Sequence, residues 1–201
     1  RDLRALSKPE LDGLRQELQV QRLTQDTDPK LAWSRLTRRQ RRDPVLQAAH
    51  ARALINTGAK DVAERFLRKS IARHWNGELV RLYGHAHSKQ IEEQLRRAEQ
   101  WNGSHKDDPD LLMTLARLYL ERNDRDKARD HLLEAVRLGG SREGYLELGL
   151  LLESMGESDK ALQCYRRGLQ SPEAARQKTI APEVSTPPAE LVPVLESPES
   201  R

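Results

Sequence analysis

The chain has a single cysteine in 201 residues, Cys164. A lone thiol excludes a disulfide framework and a thiolate metal cluster, and it settles no compartment. No apolar run approaches the ~18 residues that cross a bilayer as a helix. No secretory signal is visible, and the sequence opens at Arg1 without an initiator Met. The expectation is a fragment, with a targeting or membrane segment upstream. Phosphate-cradling glycine loops, a Ser/His/Asp arrangement and a paired-carboxylate motif are all missing. So is Cys-x-x-Cys-His, which excludes covalent haem attachment. Nothing here points to an enzyme.

What is present is charge. Charged residues make up 33 % of the chain and hydrophobic ones 36 %. That is polar for a compact globule and ordinary for a solenoid, which stays one helix pair thick and keeps a large surface. A net charge of +4 favours anionic partners mildly and is no argument for nucleic acid.

The dominant feature is a repeat. Small residues stand at Ala51, Gly84, Ala116 and Gly149, spaced by 33, 32 and 33 positions. A second series follows twelve residues behind, at Ala63, Arg96, Ala128 and Ala161. A period in this range marks stacked helical hairpins, each burying its apolar face on the next. In the third unit Asp108-Pro109 caps and starts a helix. Leu112, Leu115, Ala116 and Tyr119 then form one face at i, i+3, i+4, i+7. Asn123-Asp124 makes the turn, and Ala128, Leu132, Ala135 and Val136 form the second face. The fourth unit repeats this with Tyr145, Leu148, Gly149 and Leu152, a turn at Gly156, then Ala161, Tyr165 and Leu169. The first does so with Asp43-Pro44, Ala51, Leu54, Gly58, Ala63, Leu67 and Ile71. Gly or Ala suits a close crossing within a hairpin.

The second unit departs. Leu79, Leu82, Tyr83 and Gly84 give a first helix, but His87-Ser88-Lys89 replaces the turn and Arg96 replaces a small residue. A second helix is expected over residues 90–101 in a shifted register, with Ala98 two places on. Residues 1–42 add a degenerate hairpin. Ser7 and Glu10 form a capping box before Leu11, Leu14, Leu18 and Leu23. Asp28-Pro29 starts a helix carrying Leu31, Trp33 and Leu36, which ends in Arg35, Arg38, Arg39, Arg41 and Arg42. The solenoid is expected over 43–170. Residues 171–201 are rich in Pro, Ser and Glu and read as a disordered tail, with one apolar island at Leu191, Val192, Pro193, Val194 and Leu195. The fold class is all-α, a right-handed superhelical solenoid of about ten antiparallel helices.

The third and fourth units resemble the tetratricopeptide repeat. Several stretches are more specific: Trp75 followed by Glu78, Leu79, Val80, Arg81, Leu82, Tyr83 and Gly84; Gln94-Leu95 with Ala98, Glu99, Gln100 and Trp101; Asp107-Asp108-Pro109 with Leu111-Leu112; and residues 145–153 with Tyr165-Arg166-Arg167-Gly168-Leu169. On these, residues 28–170 look like the C-terminal part of the HemY family of bacterial inner-membrane proteins. The family pattern has a larger apolar residue near Asn102 and a Pro near Lys106, so this chain is a diverged member. The resemblance implies upstream transmembrane helices that return the domain to the cytoplasm, a role in late protohaem synthesis, haem-biosynthesis enzymes as partners, and no catalytic residues.

Candidate sites follow. His85 and His87 stand two apart, on different helix faces, so they make no helical metal pair. Axial haem ligation by a lone His stays open, though no cofactor is expected. Trp33, Trp75 and Trp101 read as packing residues, with stacking platforms as the alternative, and Cys164 as a packing or surface thiol. The arginines at 35–42 either solvate a helix end or hold phosphate or an anionic headgroup. With no aromatic interleaving, nucleic acid is not expected. The favoured site is the groove lined by each unit's first helix: Arg52 and Ile55; Arg81 and His85; Met113, Arg117 and Leu120; Leu146, Leu150 and Glu153. Arg52, His85 and Arg117 would form a positive stripe with an apolar end, suited to an anionic-apolar ligand or acidic peptide. Ala48 and Arg52 stand where chaperone-binding clamps carry Lys and Asn, which argues against a chaperone C-terminus as ligand. A general adaptor of another envelope complex and a porphyrin-transfer protein remain as alternatives.

Overall fold

A computed structural model describes residues 7–139 and 141–171. The expected tail, its apolar island and Gly140 of the Gly139-Gly140 loop lie outside the described residues, apart from Ser171. Within them the chain forms ten α-helices and one short 3-10 helix, with no strand. In order these are α1 Lys8–Gln25, α2 Pro29–Ser34, the 3-10 turn Gln40–Arg42, α3 Pro44–Asn56, α4 Lys60–Ile71, α5 Gly77–His85, α6 Ile91–Asn102, α7 Pro109–Glu121, α8 Arg125–Arg137, α9 Arg142–Ser154 and α10 Ser158–Gln170.

The helix starts follow local chemistry. Asp28, Asp43 and Asp108 each accept hydrogen bonds from backbone N–H groups of the first turn, with Pro at the first helical position. Ser7 and Glu10 close the capping box on α1. The turns inside three hairpins are residues 57–59, 122–124 and 155–157, three residues each. Gly58, Asn123 and Gly156 hold left-handed φ angles there, of 76°, 60° and 82°, where only Gly and Asn sit without a steric penalty.

The second unit shows why its pattern is displaced. Its loop runs over five residues, 86–90, and the two extra residues shift everything after it by two. Ala98 is therefore fully buried and Arg96 faces solvent. The backbone of α6 packs on α7 rather than on α5. Long side chains bridge the gap: Gln94 Nε2 donates to the Tyr83 carbonyl at 2.6 Å, and the Trp101 ring lies 4.8 Å from that of Tyr83.

One continuous core runs from Ala48 to Ala161. A smaller one joins Leu23, Ala32, Leu46 and Ala49, so α3 serves both cores from opposite sides. Two expectations for this end need correction. Leu11, Leu14 and Leu18 do not pack; they are exposed. The face of α1 turned to α3 is the opposite one, where Gln16 donates to Asp43 at 2.7 Å and Val20 and Leu23 enter the small core. The helix begun by Pro29 stops at Ser34, short of Leu36 and the arginines.

The small residues also divide in role. A Cβ on Gly149 would meet the Tyr165 ring at 2.3 Å, a crossing within the hairpin. One on Gly84 would meet Thr114 Cα at 3.1 Å, a crossing between successive units. The hairpin rule explains Gly149 and not Gly84, because α5 packs on α7 instead of on its own partner.

Candidate functional site

The first helices of successive units carry the predicted groove residues, and the charged ones among them meet carboxylates. The Arg52 guanidinium lies 2.6 Å from Glu78. Arg81 is 3.1 Å from Asp110 and 3.6 Å from Glu143, and His85 Nε2 is 3.5 Å from Glu143. Arg117 contacts Glu143 at 2.9 Å and Glu147 at 2.6 Å, and donates to the Arg81 carbonyl at 3.1 Å. Each cation meets a carboxylate from a later unit, so the surface carries a ladder of ion pairs and not a free positive stripe. The acids Glu78, Asp110, Glu143 and Glu147 were the missing half of the sequence reading. Most stand about one period after their partners, a signal visible in sequence only once the stacking of α3, α5, α7 and α9 is known.

The ladder is partly buried, so salt screens it less than an exposed pair. Arg117 is only 6 % exposed, so it sits beneath the surface. The hydrogen bond from His85, with the Arg117 and Arg81 charges, draws the Glu143 carboxyl down to about 2 against the cost of its burial. Asp110 is raised, because its burial outweighs the pull of Arg81. Two more predicted positions change role. Met113 is 1 % exposed and belongs to the core, and Ile55 packs half-buried against it. Glu153 accepts a hydrogen bond from the Tyr165 hydroxyl at 2.8 Å.

Apolar positions remain open to a ligand beside the paired charges. Leu146 and Leu150, one turn apart on α9, are 49 % and 53 % exposed, and Leu120 on α7 is exposed as well. These three leucines are therefore accessible.

Ligand atoms of His85, Glu143 and Glu147 lie within 4.8 Å of one another, a set that could hold a cation. Both carboxylates already bind the Arg117 guanidinium, and a metal would have to displace it. The donor set fits the ion-pair ladder better. Trp33, Trp75 and Trp101 pack half-buried against the cores, and Trp75 donates to Asp108 at 2.7 Å. Cys164 is half-buried beside Tyr165, and burial raises its thiol. No described helix is long and apolar enough to cross a membrane.

The geometry has counterparts. The tetratricopeptide repeat model matches residues 143–174, the unit built from α9 and α10. The crystal structure of TTC0263, described as a thermophilic tetratricopeptide-repeat protein of Thermus thermophilus, superposes with a TM-score of 0.62 at 20 % identity, covering 85 % of this chain and 95 % of that one. A MamA fragment from Desulfovibrio magneticus RS-1 gives 0.50 at 18 % identity, over 80 % and 96 % of the two chains. No curated protein sequence matches. The likenesses are of fold, and with the repeat match they show that this chain contains a tetratricopeptide-repeat domain folded as a helical solenoid.

Proposed function

We propose that this solenoid is a non-enzymatic interaction scaffold of the HemY type, which gathers late protohaem-synthesis enzymes at the bacterial inner membrane, with the repeats on the cytoplasmic side and an upstream segment as the anchor. The tetratricopeptide fold suits a protein-interaction adaptor. The HemY assignment is supported by the Leu82-Tyr83-Gly84 and Ala98-Glu99-Gln100-Trp101 stretches. The observation that carries the binding role is the uncovered pair Leu146 and Leu150 on α9. Exposed leucines at i, i+4 beside paired charges suit an amphipathic segment of a partner protein.

The test is capture from solubilised bacterial membranes. Leu146→Glu with Leu150→Glu places two charges in the apolar patch without touching the core. Wild type should recover haem-synthesis enzymes and the double variant should lose them, while Arg166→Glu with Arg167→Glu, exposed on α10, should behave as wild type. Reversing Arg117 would be uninformative, since it would bury a carboxylate against Glu143 and Glu147. Equal recovery by all three proteins would refute the groove. If wild type captured only enzymes of other envelope processes, the general adaptor would replace the HemY reading.

A further inference from the structure

The arginines at 35–42 do not act as one cluster. Arg35 pairs with Asp26 at 3.6 Å. Arg38, Arg41 and Arg42 instead line a cleft of about 560 Å³, whose other wall comes from the end of α4 and carries Arg73, His74 and Ser70. We propose that this cleft is a binding site for a phosphate group, a role independent of which proteins the solenoid gathers.

Three observations carry the proposal. First, the charge is uncompensated. Among the described residues, none of these four arginines has a carboxylate within ion-pair distance and no acid lines the cleft. Arg52, Arg81 and Arg117 of the groove, by contrast, are each paired with a carboxylate. Cations beside the end of α4 favour its C-terminal dipole. That accounts for Arg73 and His74 but not for the three arginines brought to them from the other wall. Like charges gathered without a counter-ion repel, and a bound anion would remove that cost.

Second, Ser70 is 5 % exposed, lines the cleft, and its hydroxyl has no hydrogen-bond partner among the described residues. In a helix a serine hydroxyl commonly bonds back to a carbonyl one turn earlier. Here it remains free to donate to an occupant.

Third, the wall is fixed before any ligand arrives. Arg41 donates to the Ser34 carbonyl at 2.5 Å, Gln47 on α3 donates to the Arg41 carbonyl at 2.8 Å, and Gln40 accepts from the Thr37 backbone at 2.8 Å. Pre-ordering lowers the entropic cost of binding. Among the described residues, the side chains of Arg38, Arg42 and Arg73 make no such internal bonds and keep their donors. Several guanidinium forks and a hydroxyl match a tetrahedral oxyanion. A phosphate monoester carries roughly −1.5 to −2 at neutral pH and neutralises this cleft better than a single carboxylate.

The experiment measures binding of inorganic phosphate and pyrophosphate by calorimetry at constant ionic strength, with chloride as reference. It also measures co-sedimentation with vesicles containing phosphatidic acid, or phosphatidylglycerol at matched surface charge. Arg42→Ala with Arg73→Ala should weaken binding roughly tenfold or more, the loss of at least one charge-assisted hydrogen bond. Ser70→Ala should weaken it less, and Arg166→Ala with Arg167→Ala should not weaken it. Circular dichroism checks that each variant keeps its helices. Saturable binding of the soluble anions identifies a dissolved phosphate compound as the source. Binding only to phosphatidic acid vesicles identifies a lipid headgroup. Either result upholds the site. No saturable binding to any probe, equal weakening by both double variants, or equal sedimentation with the two lipids in the absence of soluble-anion binding would overturn it.

Discussion

Glu64 ties three elements together through one carboxylate. It is buried on α4 and accepts from the Tyr83 hydroxyl at 3.0 Å, from Arg68 at 3.2 Å and from Arg97 at 3.3 Å. Burial and the Glu64 charge push the Tyr83 hydroxyl well above its ordinary range, so it stays a donor at any physiological pH. Glu64→Ala strands that hydroxyl and takes one carboxylate from Arg68 and from Arg97, the latter keeping Glu93. Since both arginines are partly solvated, the expected cost is roughly 2–4 kcal/mol, read as a lower urea midpoint; Glu64→Gln, which can still accept from Tyr83, should cost less. His50 makes a different prediction. Its ring stacks on Trp33 at 4.5 Å and meets the Phe66 edge at 4.8 Å, and its Nδ1 has no partner among the described residues. Burial lowers its pKa from 6.5 to about 4. Above pH 6.5 the ring is neutral in both folded and unfolded chains, and stability is complete. Between 6.5 and 4 the unfolded chain takes up a proton that the folded chain refuses, so stability falls, by about 2 kcal/mol at pH 5. Thermal melts from pH 7.5 to 4.5 should show this loss, and His50→Leu should flatten it. An unchanged slope in that variant would mean that His50 is not the group responsible.

At the scale of elements, the α7–α8 hairpin is the most regular unit. Ala116 and Ala128 are both fully buried in it, as their sequence spacing predicts. Ala116→Leu should overpack the crossing and cost roughly 1–3 kcal/mol. An unaltered melting temperature would show that the crossing has room, and that the repeat register is misplaced. The α5–α6 unit illustrates the limit of such reasoning. Its helices were legible from Leu79, Leu82 and Tyr83 and from Leu95 and Ala98, and even the two-residue shift could be inferred from Arg96. That α6 would lean on α7 instead of α5 was not, because periodicity assigns a residue to a face and does not say which helix covers it. The same limit explains α1. Leu11, Leu14 and Leu18 make a sound apolar stripe, yet the helix turns its Gln16 and Leu23 side to α3, where Asp43 offers a partner.

At the scale of the molecule, a binding scaffold and a porphyrin carrier differ in one measurable respect. A carrier needs an available ligand for haem iron, and His85 is the histidine nearest the groove. It already faces Glu143 within the ladder. Titrating haem into the protein should therefore give no stoichiometric Soret shift, and His85→Ala should change nothing. A saturable shift at one haem per chain, lost in His85→Ala, would replace the scaffold with the carrier.

The sequence by itself determined the all-helical repeat, the helix starts at Asp-Pro pairs, and the left-handed turns at Gly58, Asn123 and Gly156. These rest on capping, on steric limits of φ and on apolar spacing, all of which act within a few residues along the chain. Tertiary structure alone decided the character of the candidate sites. Arg52, Arg81 and Arg117 looked like a positive stripe until stacking laid Glu78, Asp110, Glu143 and Glu147 beside them. For Arg38, Arg41 and Arg42 the sequence left a solvated helix end and an anion site both open; α4 brings Arg73 and Ser70 to the same cleft with no acid lining it. Coulomb interactions depend on distance in space, and the period of the repeat fixes that distance only when one helix pair has settled on the next.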